Sequence, residues 1–416
     1  MRHYPTLRRV PVAVACLLVL IAAGQVLAAD APAEPSPQAL LSFYDYTTPT
    51  TFSVLLLETK QQHLVYSVAW QSAVRSEYPT DNQVPAFYYQ PRRNGKLPAI
   101  IMLHSYSTRR AGNEQRLCAR LADQGIACLL PFLPYHYTRT PPGHMSGELM
   151  ISGDVERTIQ AVRQAMVDVR SAVDWLQERP EVDPNRIGIV GISLGGILVH
   201  LAMGVERCFS TGVSVLGGGK VAELMWSSPI VARVRRALDR QGIGLPELTE
   251  RLRVIEPLTY ADLNRPRRVL MIAGRYDLVV PQEAVIAAWH ALGEPQMIWL
   301  NTGHYGGALI SSQLSEVVSA YLLNQFGERR GPLPPLYDYT LKVGLLVDER
   351  FGLQGTLNLT VAHLGRRGFV DLALTTDGPL IGVSHQVSQL AELGVGVRLG
   401  KGRAQARPYL AFVVVL

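Results

Sequence analysis

Residues 186–204 read RIGIVGISLGGILVHLAMG, and this stretch decides the fold. It joins a short Ile/Val run, the GISLG motif of residues 191–195 and a longer apolar run that begins at Leu194. A strand followed at once by a helix places the serine on a tight turn, where two glycines let the neighbouring backbones approach. The first N–H groups of the helix point towards that turn. The stretch therefore predicts a nucleophilic Ser193, against the plainer interpretation of Ser193 as a helix cap.

Apolar runs of five to seven residues recur before and after this stretch and alternate with amphipathic stretches. Runs rich in Ile, Val and Leu are typical of strands buried on both faces of a sheet. The predicted buried strands are Pro98–His104, Gly125–Pro131, Arg186–Ile192, Gly212–Leu216, Arg268–Ala273 and Gln296–Leu300. The predicted helices include Asn113–Gln124, Ile159–Glu178 and Pro281–Leu292. This alternation predicts an α/β fold with a mostly parallel sheet and helices on both faces.

Two polar residues that follow later strands could activate the serine. Asp277 follows the run Arg268–Ala273, and His304 follows the run that ends at Leu300. A serine hydroxyl is a weak nucleophile at neutral pH and needs a base, which an acid in turn orients. Because the carboxyl ends of parallel strands meet at one edge of a sheet, we expect both side chains beside Ser193. Taken singly, each would be an ordinary loop residue, but their order along the chain predicts a Ser-Asp-His triad.

These motifs resemble those of the α/β-hydrolase superfamily over about residues 95–325. The resemblance rests on GISLGG at residues 191–196, GRYDLVVP at residues 274–281 and the dipeptide Gly303-His304. Within the superfamily, the sequence is most similar to dienelactone hydrolases and to acetyl xylan esterases. The resemblance implies an α/β-hydrolase fold and hydrolysis through a covalent acyl-enzyme.

The resemblance also implies a role for each member of the triad. Ser193 is the expected nucleophile, His304 the general base and then the general acid, and Asp277 the residue that orients His304. Such chemistry needs no metal ion and no organic cofactor, so we expect neither.

Acyl transfer requires N–H donors for the oxyanion that develops on the carbonyl. The first expected donor is the backbone N–H of Leu194, directly after the nucleophile. The family usually has His-Gly after the first buried strand, whereas this sequence has His104-Ser105-Tyr106. The predicted second donor is the Tyr106 N–H, with Ser105 as the alternative. The choice between them stays open, because a residue other than glycine restricts this turn.

The segment of residues 133–148, LPYHYTRTPPGHMSGE, is a long polar loop after the second buried strand. Long loops in compact domains are often functional. One interpretation is that His136 or Arg139 contacts a polar or anionic part of the substrate. The other is an ordinary ordered loop. No third ligand has convincing spacing to His136 and His144, so we expect no metal site.

The composition indicates a folded chain with more than one part. Of 416 residues, 48% are hydrophobic and 18% charged, which excludes disordered, collagen-like and coiled-coil proteins. The predicted parts are a signal peptide (1–29), a linker with N-terminal strands (30–90), the catalytic domain (91–328) and an all-β tail (333–416). The formal net charge is +6, with no cluster of Lys and Arg interleaved with aromatic residues. We therefore expect no nucleic-acid partner.

The N-terminus has the layout of a secretory signal peptide. Three arginines precede an uncharged apolar run, residues 12–23, and Ala28-Ala29 precedes the first acidic residue, Asp30. The run is too short for a good transmembrane span, although an uncleaved anchor is the alternative. We expect a periplasmic or secreted protein. In an oxidising compartment Cys118, Cys128 and Cys208 would allow one disulfide, and the sequence does not choose the pair.

From about residue 333, apolar residues recur with a period of two, as in Leu341, Val343, Leu345 and Val347. This pattern predicts an antiparallel tail of five or six strands. Membrane β-barrels show similar alternation, but the smallest single-chain barrels have about eight strands, so we expect this tail not to close. Three alternatives remain: a barrel shared between the copies of an oligomer, an incomplete barrel-like remnant, and a soluble sheet with one solvent-exposed face. The last two are favoured, and membrane association stays open.

The sequence therefore predicts an exported serine hydrolase that cleaves a small carboxylic ester. One alternative is a serine peptidase of the prolyl-oligopeptidase type, because the fold does not separate the two chemistries. Another is an envelope-anchored binding protein whose β tail carries the function.

Overall fold

The computed structural model describes residues 36–48, 51–106, 110–265, 267–307, 311–336, 340–348, 352–364, 368–376, 378–388, 391–399 and 406–415. The chain divides into two compact units, residues 1–42 and 43–416. In the first unit the described part contains the helix α1 (Pro37–Leu40), whose cap residue Ser36 accepts a hydrogen bond from the Ala39 N–H. The predicted signal peptide, residues 1–29, lies outside the described residues and stays a prediction.

The second unit contains a mixed sheet of nine strands in the order β1-β2-β3-β5-β4-β6-β7-β8-β9. The strands are β1 (Phe52–Thr59), β2 (His63–Gln71), β3 (Gln83–Pro91), β4 (Leu97–Leu103), β5 (Ala127–Pro131), β6 (Val182–Ile192), β7 (Phe209–Val215), β8 (Arg268–Gly274) and β9 (Gln296–Leu300). Strands β4 to β9 run parallel, and β1, β2 and β3 extend the sheet as an antiparallel edge. The N-terminal strands therefore join the sheet of the predicted catalytic domain.

The described part of this unit contains ten α-helices. They are α2 (Pro79–Asn82), α3 (Gly112–Asp123), α4 (Val155–Gln177), α5 (Leu194–Val205), α6 (Val221–Ser227), α7 (Ala232–Gln241), α8 (Leu245–Leu252), α9 (Ala261–Asn264), α10 (Gln282–Ala291) and α11 (Ser311–Gln325). Of these, α3 to α10 lie between parallel strands of the sheet. Among the described residues, we find no helix whose length and apolar character would allow it to cross a membrane.

The predicted α/β fold is confirmed, and each of the six predicted buried runs overlaps a strand, with three of them extending one or two residues beyond it. Strands β4 and β5 are buried along their whole length, as expected for strands covered on both faces. The core is continuous from these strands to α3 and α11, which pack next to each other, with Ile100, Leu121 and Leu322 all fully buried. Cys118 and Cys128 lie in this core as free thiols, and the half-buried Cys208 is also free.

The C-terminal tail forms six antiparallel strands that close into a barrel. These strands are β10 (Thr340–Asp348), β11 (Gly352–Leu364), β12 (Gly368–Thr375), β13 (Gly378–Ser388), β14 (Ala391–Arg398) and β15 (Ala406–Val415). The first and last strands pair in register from Lys342 with Val415 to Asp348 with Tyr409. The separate all-β tail is therefore confirmed, but the expectation that so few strands cannot close is wrong. Six strands suffice because packed side chains, with no open lumen to enclose, fill the interior.

Candidate active site

Ser193 lies on a strained turn between β6 and α5. Its backbone has φ 56° and ψ −114°, a conformation that a residue with a side chain rarely adopts. Both flanking glycines are required sterically: a Cβ on Gly191 would lie 2.2 Å from the Gly195 carbonyl oxygen, and a Cβ on Gly195 would lie 2.2 Å from that of Leu103. The turn also bonds to the next strand, because the Ser193 N–H donates to the Val215 carbonyl at 2.8 Å. The surrounding backbone thus holds the serine clear of the sheet.

The three residues predicted from strand order meet at this turn. The Ser193 Oγ lies 2.8 Å from His304 Nε2, and His304 Nδ1 lies 2.7 Å from Asp277 Oδ2. Since a carboxylate can only accept here, Nδ1 carries the proton and Nε2 is left to accept the serine hydroxyl. The other carboxylate oxygen, Oδ1, accepts the N–H groups of Val279 and Val280, each at 2.8 Å. These two bonds fix the carboxylate and leave Oδ2 for the imidazole.

The loop after β4 bears on the choice of oxyanion donor. The Ser105 N–H and hydroxyl both donate to Oε1 of the buried Glu114, at 3.1 and 3.0 Å. The Ser105 N–H therefore already has an acceptor, which favours Tyr106 for this role. Tyr106 lines the cavities around Ser193. The helix start supplies the predicted Leu194 N–H directly after the serine.

Two cavities meet at Ser193. The first, of about 70 Å³, is almost entirely apolar and lies between the body of the domain and the segment of residues 221–231. Its lining includes Ile197, Leu224 and Met225. The second, of about 260 Å³, contains His304 as well as Ser193 and extends to Leu314 on α11. The arrangement can hold the two halves of a substrate on either side of the nucleophile.

Arg139 does not face either cavity. Its side chain is fully buried and pairs with Asp81 at 3.1 Å and with Asp168 at 2.9 Å. It also donates to the carbonyl oxygens of Asp81 and Phe132. The predicted substrate contact of Arg139 is therefore wrong: its guanidinium crosslinks the loop of residues 133–148 to the body of the domain.

His136 is also buried, and its predicted contact with substrate is wrong for the same reason. Its Nδ1 donates to the Pro134 carbonyl at 2.8 Å, and its ring packs against those of His104 and Tyr106. Burial lowers the pKa of His136 to about 4. The ring is therefore neutral at neutral pH and cannot serve an anionic group. The His136 ring contacts the Tyr106 ring edge-on and so helps to fix the position of Tyr106.

Sequence reasoning missed Glu114 and the apolar residues of the segment 221–231 that line the first cavity. Glu114 is the third residue of α3 and is nearly fully buried, which is unusual for an unpaired carboxylate. Its signal in the sequence was weak, since an acidic residue in the first turn of a helix is common. Nothing in the sequence indicated that Leu224 and Met225 line a cavity, because apolar residues on short helices normally face the core.

The barrel contacts the loops that carry the acid and the histidine. The Phe369 ring packs edge-on against that of Tyr276, which precedes Asp277, with centroids 6.4 Å apart. The Thr340 hydroxyl donates to the carbonyl of Asn301, three residues before His304. One end of the barrel therefore lies beside the carboxyl edge of the sheet.

Sequence comparisons agree with this architecture. The profile of the Prolyl oligopeptidase family matches residues 160–304, and the profile of the Dienelactone hydrolase family matches residues 84–224. An uncharacterized protein of Mycobacterium tuberculosis is 30% identical over 196 residues, which are 45% of this chain and 44% of that protein. The match thus spans less than half of the curated relative.

Solved structures share the fold. The acetyl xylan esterase from Paenibacillus sp. R4 has a TM-score of 0.53 and 20% identity, over 67% of this chain and 90% of that one. Acetyl xylan esterase 1 from Thermoanaerobacterium sp. JW/SL YS485 has a TM-score of 0.53 and 18% identity, over 68% and 94%. These structures show that the chain has the α/β-hydrolase fold, and the two family profiles support its place in that superfamily.

The burial of Arg139 generates a test of its structural role. Arg139→Ala leaves Asp81 and Asp168 buried without their cation, so we expect the free energy of unfolding to fall by about 3–5 kcal/mol in urea titrations. The matched control is Arg157→Ala, whose pairs with Glu77 and Asp154 are exposed and should contribute at most about 1 kcal/mol. An Arg139→Ala protein of unchanged stability but raised KM would restore the substrate-binding interpretation.

Proposed function

We propose that this chain is a serine hydrolase that cleaves a small carboxylic ester through an acyl-enzyme. The observation that carries the proposal is the continuous hydrogen-bonded chain Ser193–His304–Asp277 on a strained turn between two cavities. A serine hydroxyl needs such a base to attack a carbonyl at neutral pH. The fold and the family profiles support the same chemistry.

In the first half of the reaction the Ser193 Oγ attacks the ester carbonyl. His304 Nε2 takes the hydroxyl proton, and Asp277 stabilises the imidazolium that forms. The negative charge moves to the carbonyl oxygen, where we propose that the N–H groups of Leu194 and Tyr106 bind it. Removing one such donor typically costs about 3–4 kcal/mol of transition-state stabilisation.

Collapse of this tetrahedral intermediate breaks the bond to the alcohol oxygen. His304 returns its proton to the departing alcohol, which leaves Ser193 esterified. A water molecule then attacks the acyl-enzyme with His304 again as the base, and the acid is released with Ser193 regenerated.

The two cavities have different parts in this scheme. The leaving alcohol must lie next to the group that protonates it, so we assign it to the cavity that contains His304. The acyl group then occupies the small apolar cavity lined by Leu224 and Met225. The size of that cavity favours a short acyl chain over a long one.

A peptidase is the second candidate, because the Prolyl oligopeptidase profile covers residues 160–304 and so all three members of the triad. The triad would serve an amide equally well, with His304 protonating the leaving amine. The acyl cavity is mainly apolar, and Thr158 and Ser228 are among the few polar side chains that line it, so it offers little for a peptide backbone on that side, which favours the ester.

We also propose that the protein is exported, on the charge and apolar pattern of residues 1–29. Expression in a bacterial host should give a protein that is protected from protease in intact cells, with Asp30 as its first residue by mass spectrometry. Leu18→Arg, which charges the apolar run, should leave the precursor uncleaved. Full-length protein in the cytoplasm with the natural sequence would contradict export.

The nucleophile is tested by hydrolysis of p-nitrophenyl acetate beside an unactivated peptide amide. Ser193→Ala removes the attacking oxygen, so we expect kcat for the ester to fall by about 10⁴-fold or more. Ser210→Ala, at a serine on β7 outside both cavities, is the control and should retain full activity. Equal rates from Ser193→Ala and the parent would refute the proposal, and turnover of the amide alone would favour the peptidase.

The assignment of the cavities is tested by filling each in turn. Met225→Trp should lower kcat/KM for p-nitrophenyl butyrate by about tenfold or more relative to the acetate, because a lost methylene site costs about 1–3 kcal/mol. Leu314→Trp should leave that ratio unchanged and instead discriminate against benzyl acetate relative to ethyl acetate. The opposite pattern would exchange the acyl and alcohol sites.

A further inference from the structure

The outer surface of the barrel is apolar around its whole circumference. We define the outer wall as its exposed apolar side chains, which occur along all six strands. They are Leu345, Val347, Leu353, Leu357, Val361, Leu364, Leu372, Leu374, Ile381, Val383, Val387, Leu393, Val395, Leu399, Phe412 and Val414. Their exposed fractions run from 37% to 66%. A water-soluble domain rarely exposes a continuous apolar patch beyond a few hundred Å².

The interior of the barrel encloses its charged side chains, together with a small apolar cluster: Leu346, Ala373, Leu380, Tyr409, Ala411 and Val413. We define the inner cluster as its buried charged and polar side chains: Lys342, Gln354, Thr356, Asn358, Thr360, Asp371, Ser384 and Glu392. The Lys342 ammonium, fully buried, lies 3.2 Å from Asp371 and 2.8 Å from Glu392. The Ser384 hydroxyl donates to both carboxylates, at 2.9 and 3.0 Å. The charges are thus paired and hydrogen-bonded inside.

This polarity is the reverse of a water-soluble barrel, where apolar side chains fill the core and polar ones face solvent. In water, the barrel would bear both the cost of desolvating its charges and the cost of exposing its apolar surface. In hydrocarbon the same distribution is favourable, because apolar groups meet lipid and charges stay enclosed. The surroundings that match the barrel are those of a membrane.

The geometry favours lipid over a protein partner. A second copy or another protein would cover one side of the wall, whereas the apolar side chains encircle it. Closure through β10 and β15 leaves no free strand edge for a partner to extend, and closure is also what a bilayer requires of a β-structure. The strands have 8 to 13 residues, around the length of about 9–11 that spans a bilayer when tilted.

The hydrolase part of the unit does not cover this wall. Among the described residues, the contacts between the two parts lie at strand ends: Thr340 is the first residue of β10, and Phe369 is the second residue of β12. Contacts at the end of the barrel leave its circumference available. From these observations we propose that the outer wall inserts into a lipid bilayer and tethers the hydrolase to it. The proposal does not depend on the hydrolytic activity.

The test is flotation of the chain from Asp30 onwards, which lacks the apolar run of residues 12–23, with vesicles of phosphatidylcholine in a density gradient, after detergent removal. We expect the protein to float with the vesicles and to stay with them through an alkaline carbonate wash, which strips peripheral proteins. Protein that remains at the bottom of the gradient, dispersed without detergent, would overturn the proposal. A defined dimer that excludes vesicles would also overturn it, in favour of a second copy as the occupant.

Two triple variants test whether the outer wall is the surface that binds the lipid. Leu357→Arg, Val383→Arg and Val395→Arg place charges on three strands of the outer wall, and the fraction floated should fall by at least about tenfold. The control carries arginine in place of Val54, Leu55 and Leu57, which are similarly exposed on β1, and should float like the parent. Loss of flotation in the control but not in the barrel variant would refute the assignment. Flotation of the parent decides the proposal even if a variant misfolds, and no step requires ester hydrolysis.

Discussion

The crowded backbone crossing at Ser193 is the constraint on which the rest of the active site depends. Gly195 lies against the carbonyl of Leu103 so closely that no side chain fits, which brings the ends of β4 and β6 together. The positive φ of Ser193 is held by this contact and by its bond to Val215. Because these are neighbouring parallel strands, the loops after them open on one edge of the sheet, and the groups that act on the serine converge there.

Much of this could be predicted because buried parallel strands leave a direct mark in the sequence. A strand covered on both faces must be apolar throughout, so runs such as β4 and β5 can be recognised in the sequence without knowledge of their partners. The positions of Asp277 and His304 followed from one further rule, that such strands end at a common edge. Both the sheet and the hydrogen-bonded chain at Ser193 rest on local patterns, which sequence reasoning handles well.

The loop of residues 133–148 shows where such reasoning stops. A polar residue in a long loop gives the same signal whether it faces solvent or is buried on a partner. The partners that bury Arg139 are Asp81 and Asp168, 58 and 29 residues away along the chain, and nothing local indicates them. Burial also removes the charge of His136, whose pKa falls to about 4. The structural role of this loop therefore depends on ion pairs between Arg139 and residues far away along the chain.

The C-terminal tail shows a similar limit, because an alternating sequence pattern does not determine which strands pair. A period of two predicts strands and two faces, but an open sheet and a closed barrel share it. Only the pairing of β10 with β15 settles closure, and that pairing joins the two ends of the tail. Closure then determines which face is enclosed: Lys342, Asp371 and Glu392 lie inside with a few apolar side chains such as Leu346, and the leucines and valines of the outer wall face outward. The hydrolase sheet buries its apolar side chains under helices, whereas the barrel exposes most of its own on its outer wall. The proposal that this wall lies in a bilayer would place the catalytic edge beside the membrane, through the contact of Phe369 with Tyr276.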